Sequence, residues 1–93
     1  MIKEVLFQIQ HLKFVNLDSG KYCLIVEDTE VNDYVEEYML DKGIEIEDVD
    51  VNDNDKISIY YNYFSENSNL EKIIETLKKI DSKEVVTIFS LNN

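Results

Sequence analysis

The residues of this chain best suited to chemistry are its carboxylates, which are concentrated in one stretch of the sequence. The 93 residues include 20 Asp and Glu, nine Lys and no Arg, so the formal charge is −11. Residues 27–55 contain thirteen of the acids and a single base, Lys42, while the remaining residues sum to +1. Carboxylates at this density can bind a cation, take part in acid–base catalysis or contact a basic partner.

The first of these uses, cation binding, is suggested by Asp48-x-Asp50-x-Asn52, which matches the first three ligand positions of an EF-hand loop. The rest of the loop differs, because its sixth position is Asp53 instead of glycine and its twelfth is Ile59 instead of glutamate. Valines alternate with the acids, which is typical of a strand rather than a loop. We therefore predict no specific metal site and leave weak adsorption of divalent ions as the open alternative.

Nucleophilic catalysis has little support in this sequence. Cys23 and His11 are the only Cys and His, and the apolar pattern assigns them to different strands. A nucleophilic cysteine needs an activating base and a third group that orients the base. The chain also lacks a glycine-rich phosphate loop, a serine nucleophile elbow and an HExxH motif. We interpret Cys23 as a buried structural thiol and predict no catalytic residue, no cofactor and no enzymatic activity.

The acidic stretch begins with the clearest predicted helix, residues 29–42. Its apolar stripe has helical spacing, Asp28 or Thr29 can cap its first turn, and Gly43 can take the left-handed position after its last turn. The stripe consists of Val31, Tyr34, Val35, Tyr38 and Met39. The exposed positions then form a carboxylate ridge, with steps of about one helical turn. The ridge consists of Glu30, Asp33, Glu37 and Asp41, with Glu36 alongside.

The remaining pattern predicts a second helix over 69–81, with a capping box Ser68-x-x-Glu71, and several strands. The strands lie near residues 5–14, 22–26, 44–51, 57–63 and 85–89, with turns at 18–20 and 52–55 and a β-bulge at Glu47-Asp48. From residue 21 the order is strand, helix, strand, strand, helix, strand. The prediction is therefore one α+β domain over 1–93 with the split βαββαβ pattern of ferredoxin-like folds. Two helices would cover one face of an antiparallel sheet, with an extra N-terminal strand or hairpin arm.

That extra strand presents a topological difficulty. The first core strand of a ferredoxin-like sheet is paired on both sides, so a preceding strand cannot simply pair with it as a hairpin. The extra strand must lie at a sheet edge, or else the topology is a different α+β arrangement.

Binding to nucleic acids or to membranes is disfavoured by the charge, because phosphates and anionic lipids repel it. Tyr60-Tyr61 and Tyr63-Phe64 could stack on RNA bases, but alternation places Tyr61 and Tyr63 with Ile57 and Ile59, which we interpret as core. No apolar run approaches the ~18–20 residues that span a bilayer. The absence of Ala, Arg and Pro is typical of an A+T-rich genome, which predicts a gene of a low-G+C bacterium, its phages or its plasmids. With a single Cys the reducing cytosol is the default compartment, so we predict a cytoplasmic location in the bacterial host cell.

The remaining use of the acids is contact with a basic protein. A helix and the following strand carry rows of like charges, which cost folding stability, so we predict that they bind a partner. The predicted partner-binding residues are Glu30, Asp33, Glu36, Glu37, Asp41, Glu45, Glu47, Asp48 and Asp50. Tyr34, Tyr38, Tyr60 and Tyr63 are candidate anchors of the interface.

In charge and size the chain resembles nucleic-acid mimics, namely anti-CRISPR and anti-restriction proteins of phages and the immunity proteins of nuclease toxins. This resemblance implies a non-catalytic inhibitor whose partner is a basic protein such as a nuclease or CRISPR effector. Two alternatives stay open. One is an acidic surface that serves only solubility. The other is a small ferredoxin-like regulatory or ligand-binding domain that homodimerises through the sheet.

Overall fold

The structure is a computed structural model that describes residues 1–93, with five strands and three helices. In chain order these are β1 (Ile2–Ile9), β2 (Leu12–Leu17), β3 (Tyr22–Glu27), α1 (Thr29–Asp41), β4 (Ile46–Asp53), β5 (Ser58–Phe64), α2 (Leu70–Lys78) and α3 (Ser82–Asn92). The strands form one antiparallel sheet in the order β1-β2-β3-β5-β4. The predicted fold class is confirmed: the chain is α+β, compatible with a ferredoxin-like arrangement with an extra strand.

The split arrangement is formed by β3, α1, β4 and β5. β5 pairs antiparallel with β3 on one side and with β4 on the other, so β3 and β4 run parallel without touching. α1 supplies the crossover that parallel strands require. β4 thereby becomes one edge of the sheet, and β1 becomes the other.

The predicted strand at 85–89 is wrong, because these residues lie in α3. Asp81 caps that helix by accepting hydrogen bonds from the backbone N–H groups of Lys83 and Glu84, at 2.9 and 3.4 Å. Val85, Ile88 and Phe89 have a spacing of three and four residues, which suits a helical face as well as a strand. The sheet position beside β3 is occupied by β2 instead. The N-terminal hairpin can therefore pair with the first core strand, which resolves the topological difficulty.

Local features of the chain mostly follow the sequence. Gly43 takes φ +74° after α1, and its N–H donates to the Leu40 carbonyl at 2.9 Å. β4 pairs with β5 through a register shift between Ile46 and Asp48, which confirms the predicted bulge. The predicted capping box is wrong, since Asn69 and not Ser68 caps α2, accepting from the Lys72 N–H at 3.2 Å.

The hydrophobic core lies on one face of the sheet, between the strands and all three helices. It consists of Leu12, Phe14, Leu24, Val26, Val31, Val35, Met39, Ile44, Phe64, Ile73, Leu77, Ile80 and Val85. On β5 this face receives Tyr60, Asn62 and Phe64, so the interpretation of Tyr61 and Tyr63 as core residues is wrong. Together with Ile59 they lie on the opposite, helix-free face. None of the three helices has the length and apolar character to cross a bilayer.

Candidate functional site

The orientation of α1 is set by a buried polar contact with the sheet. The Asn62 side chain donates from Nδ2 to Asn32 Oδ1 at 2.8 Å and to the Leu24 carbonyl at 3.1 Å. Asn32 and Asn62 are 2% and 1% exposed, so this link joins α1, β3 and β5 inside the protein. Polar groups in a low-dielectric interior bond strongly and in few geometries. The contact therefore helps to fix which side of α1 faces solvent.

The first turn of α1 is held by Asp28, whose side chain is buried. Its Oδ2 accepts from the backbone N–H groups of Glu30 and Val31, at 3.1 and 3.2 Å. Its Oδ1 accepts from the Asn93 side chain at 3.0 Å, which ties the C-terminal helix to the start of α1. An Asp at this position also interacts favourably with the positive end of the helix. Asp28 is thus a structural acid in the acidic stretch.

The other acids of α1 project to solvent, as predicted from the helical spacing. Glu30, Asp33, Glu37 and Asp41 are exposed, and Glu36 is half-buried. Neighbours three or four residues apart lie about 5–6 Å apart at Cβ and repel one another. No base occupies the last turn, where a helix end favours positive charge. The arrangement of charge along α1 therefore opposes helix stability.

The remaining predicted acids continue along the edge of the sheet. Glu45 lies in the connection after α1, and Glu47, Asp48 and Asp50 lie on β4; all four are exposed. Charged residues on an edge strand also prevent it from pairing with another chain. We use the name acidic side for the nine residues, Glu30, Asp33, Glu36, Glu37, Asp41, Glu45, Glu47, Asp48 and Asp50.

The acidic side is divided between the two faces of the sheet and does not form one flat face. Asp48 is paired with Tyr63 and Asp50 with Tyr61, so both aspartates share the helix-free face with those tyrosines. α1 is linked to Asn62, on the other face of the same strand. The structure therefore brings the five α1 acids together, and it places Asp48 and Asp50 on the opposite side of the sheet.

The carboxylates of the acidic side have no cationic partner. The protein contains one ion pair, between His11 Nδ1 and Glu27 Oε1 at 3.4 Å, and it lies outside the acidic side. Lys42, the single base of the stretch, lies 5.8 Å from the ring centre of Tyr38. The negative charge of the acidic side is thus unneutralised within the protein.

The tyrosines proposed as anchors occupy different environments. Tyr34 and Tyr38 are half-buried, and the Tyr38 hydroxyl donates to the Lys79 carbonyl at 3.4 Å. Burial raises the pKa of Tyr34, and Glu84 and Asp81 add to the rise. The Tyr60 hydroxyl lies 2.9 Å from Thr29 Oγ1. Tyr34, Tyr38 and Tyr60 pack against the core, whereas Tyr63 faces the helix-free side.

The two residues considered for catalysis are separated and constrained. His11 lies in the turn between β1 and β2, so its predicted place in a strand is wrong. Cys23 pairs with Val15, four residues after His11, which corresponds to about 13 Å along the chain. Burial raises the pKa of the Cys23 thiol to about 12, and Asp50 contributes to the rise. The His11 ring stacks on Phe89 with ring centres 3.6 Å apart. Because the thiolate is the reactive form of cysteine, this environment makes Cys23 a poor nucleophile.

The EF-hand-like residues lie on a strand. Asp48, Asp50 and Asn52 follow one another at two-residue intervals along β4, about 6.5–7 Å apart, and so do not surround a common point. Nowhere in the protein do three or more His, Cys, Asp or Glu side chains come together in a way that suits a metal ion.

Sequence reasoning missed the Asn32–Asn62 contact. Asn32 lies outside the apolar stripe of its helix, and Asn62 lies in a strand with an alternating pattern. The local sequence therefore does not show that either side chain is buried. Their burial depends on α1 crossing β5, which is a long-range contact. The one available signal was an Asn at a helical position adjacent to the buried Val31.

Comparison with protein-family models, with curated proteins and with solved structures gives no match to this chain.

Proposed function

We propose that this protein is a non-catalytic inhibitor that docks its acidic side on the basic nucleic-acid-binding surface of another protein. The observation that carries the proposal is the set of nine exposed or half-exposed carboxylates without any cationic partner in the protein. A nuclease or a CRISPR effector has a surface of the complementary charge, because it must bind a phosphate backbone.

The mechanism is competition for that surface. The field of an acidic protein accelerates its encounter with a basic cleft, and the bound carboxylates then occupy the positions of phosphates. The division of the acidic side between the two faces of the sheet suits insertion into a cleft, since α1 and β4 can contact its two walls. No group transfer is required, which agrees with the protonated, buried Cys23.

Placement of charge distinguishes this function from solubility alone. A surface that only kept the protein soluble would intersperse bases among its acids, as the rest of the chain does. Residues 27–55 instead contain one base, and that base lies over an aromatic ring.

The test is inhibition of purified nucleases by the purified protein. The panel consists of a CRISPR effector, a restriction endonuclease and a toxin nuclease, each assayed for cleavage of labelled nucleic acid. The proposal predicts that at least one enzyme is inhibited and that inhibition weakens steeply as salt is raised from about 50 to 200 mM. Absence of inhibition across the panel, or inhibition that is indifferent to salt, would contradict it.

A further inference from the structure

The helix-free face of the sheet is apolar at its centre. Val15 and Cys23 are fully buried there, and Ile25, Tyr61 and Tyr63 are half-buried. With β1 at one side, this face encloses a groove of about 580 Å³. In sheets that carry helices on one face only, the second face is usually polar, or it is apolar and covered by a partner. The half-buried Ile25, Tyr61 and Tyr63 therefore leave apolar surface on this face that the single chain does not cover.

The register of the sheet places opposite charges on the two sides of this face. Gln8, Lys13, Ile25, Tyr61 and Asp50 are successive partners across β1, β2, β3, β5 and β4, and they form one row. Lys13 is half-buried and has no carboxylate within ion-pair distance, and Asp50 has no cation. The row therefore runs from an unpaired positive charge, through apolar residues, to an unpaired negative charge.

Such a row is complementary to itself under a two-fold rotation. The axis runs parallel to the strands, between β3 and β5. It places β2 of one copy opposite β4 of the other, and β3 of one copy opposite β5 of the other. It brings Lys13 of each copy opposite Asp50 of the other, and Ile25 opposite Tyr61. In the next row the same rotation places Tyr63 over Cys23 and Asp48 over Val15, so the charge complementarity is confined to the Lys13–Asp50 row. The tyrosines of each copy then enter the groove of the other.

We infer that the helix-free face binds a second copy of this chain, packed sheet against sheet with paired Lys13 and Asp50. This contact is isologous, the commonest kind in homodimers, and aligned sheets pack about 10 Å apart. A nucleic-acid strand suits the face less well, because Asp48 and Asp50 flank the tyrosines and repel phosphate.

The size of the face predicts a weak dimer. The four strands that overlap, about 4.8 Å apart and six residues long, cover roughly 380 Å² per copy, so the dimer buries on the order of 800 Å². That area lies below the range of standard specific interfaces, so we expect a weak, transient dimer that forms only at high protein concentration. Asp50 belongs to both surfaces, whereas the α1 acids lie on the other side of the sheet, so charge reversal on α1 tests the proposed inhibition without changing the dimer face.

The test is sedimentation equilibrium of the full chain at concentrations up to roughly 0.5 mM. The average mass of the wild-type protein is expected to rise with concentration from 11.0 kDa toward twice that value. Lys13→Asp is expected to raise the dissociation constant about tenfold or more, because two pairs become repulsive. The double change Lys13→Asp with Asp50→Lys restores the pairs with reversed polarity and is expected to restore the dimer. Circular dichroism of each variant checks that the sheet is retained.

Lys83→Asp is the matched control. It makes the same change of net charge at an exposed position in the first turn of α3, where an acid suits the helix end. It is expected to leave the dimer unchanged. A wild-type protein that stays monomeric over this range overturns the inference, as does a charge exchange that does not rescue Lys13→Asp. Perturbation of Ile25 and Tyr61 NMR signals by decanoate or by oligouridylate, without dimer formation, assigns the face to another occupant and also overturns it.

Discussion

Helices α1 and α2 pack on the same face of the sheet, and they differ in how they use charge. α2 has Glu71 in its first turn and Lys78 in its last, the distribution that the helix dipole favours. α1 carries acids from its first turn to Asp41 and has no base in its last turn. The charges of α2 stabilise it, whereas like charges in α1 destabilise it by up to about 0.5 kcal/mol per neighbouring pair. This difference is one reason for the proposal that the acids of α1 bind a partner.

The largest expected effect is on inhibition, when the charge of α1 is reversed. Glu37→Lys with Asp41→Lys replaces two attractive contacts with two repulsive ones, so we expect the inhibition constant to rise about a hundredfold. The measurement is a cleavage assay with the nuclease that the wild-type protein inhibits.

The matched control for this reversal lies near and on α2. Glu66→Lys with Glu75→Lys changes the net charge equally, at exposed positions outside the acidic side. We expect it to raise the inhibition constant less than tenfold, through the overall field alone. Equal losses for the two double variants would mean that total charge, and not the acidic side, determines binding.

The next effect is on the contact that orients α1. Asn32→Ala removes the acceptor of the Asn62 side chain, so a buried donor loses a partner. We expect a loss of about 1–3 kcal/mol in the free energy of unfolding, measured with urea. Asn67→Ala, at an exposed loop position, should change it by less than about 0.5 kcal/mol. A stability of Asn32→Ala equal to that of the wild type would show that the contact does not hold α1.

The caps of the two helices provide a smaller comparison. Asp28 accepts two backbone N–H groups and the Asn93 side chain and is buried, while Asn69 accepts one N–H and is exposed. We expect Asp28→Ala to cost about 1–2 kcal/mol and Asn69→Ala about 0.5–1 kcal/mol. Thermal and urea unfolding of both variants measures the two losses in free energy of unfolding. A larger loss for Asn69→Ala than for Asp28→Ala would contradict the structural role given to Asp28.

The smallest effect has the opposite sign. Asp41→Lys removes a like-charge neighbour of Glu37 and places a base at the negative end of α1, so we expect stability to rise by about 0.5 kcal/mol. The gain should disappear at about 1 M salt, where charges are screened within about 3 Å. If Asp41→Lys destabilises the protein at low salt, the acids of α1 do not destabilise the fold. The difference in charge between α1 and α2 would then give no support to a partner of α1.

Sequence predicted the elements that depend on local chemistry. Asp28 and Gly43 set the ends of α1, and the shift of the alternating pattern at Glu47-Asp48 located the bulge. The segment 85–89 was not predictable in this way, because its short apolar run suits a strand or a helix. Its state is decided by the cap at Asp81 and by β2, which fills the adjacent place in the sheet.

The candidate site was predictable in composition but not in shape. Helical spacing identified which α1 acids are exposed, and the structure agrees. Alternation along β5 showed that Tyr61 and Tyr63 share a face, but alternation alone does not tell which face the helices cover. That choice depends on distant packing around Asn62. The same packing of α1 on the Asn62 face leaves Asp48 and Asp50 on the opposite side of the sheet from α1.

The central claim, that α1 and the β4 edge form the docking surface while α2 does not, is tested most directly by NMR. The isotope-labelled protein is titrated with the nuclease it inhibits, and the amide signals are followed. We expect the affected signals to lie in residues 30–41 and 45–50, with the signals of α2 unchanged. Perturbation concentrated on α2 or on the helix-free face, with the signals of α1 unchanged, would contradict it.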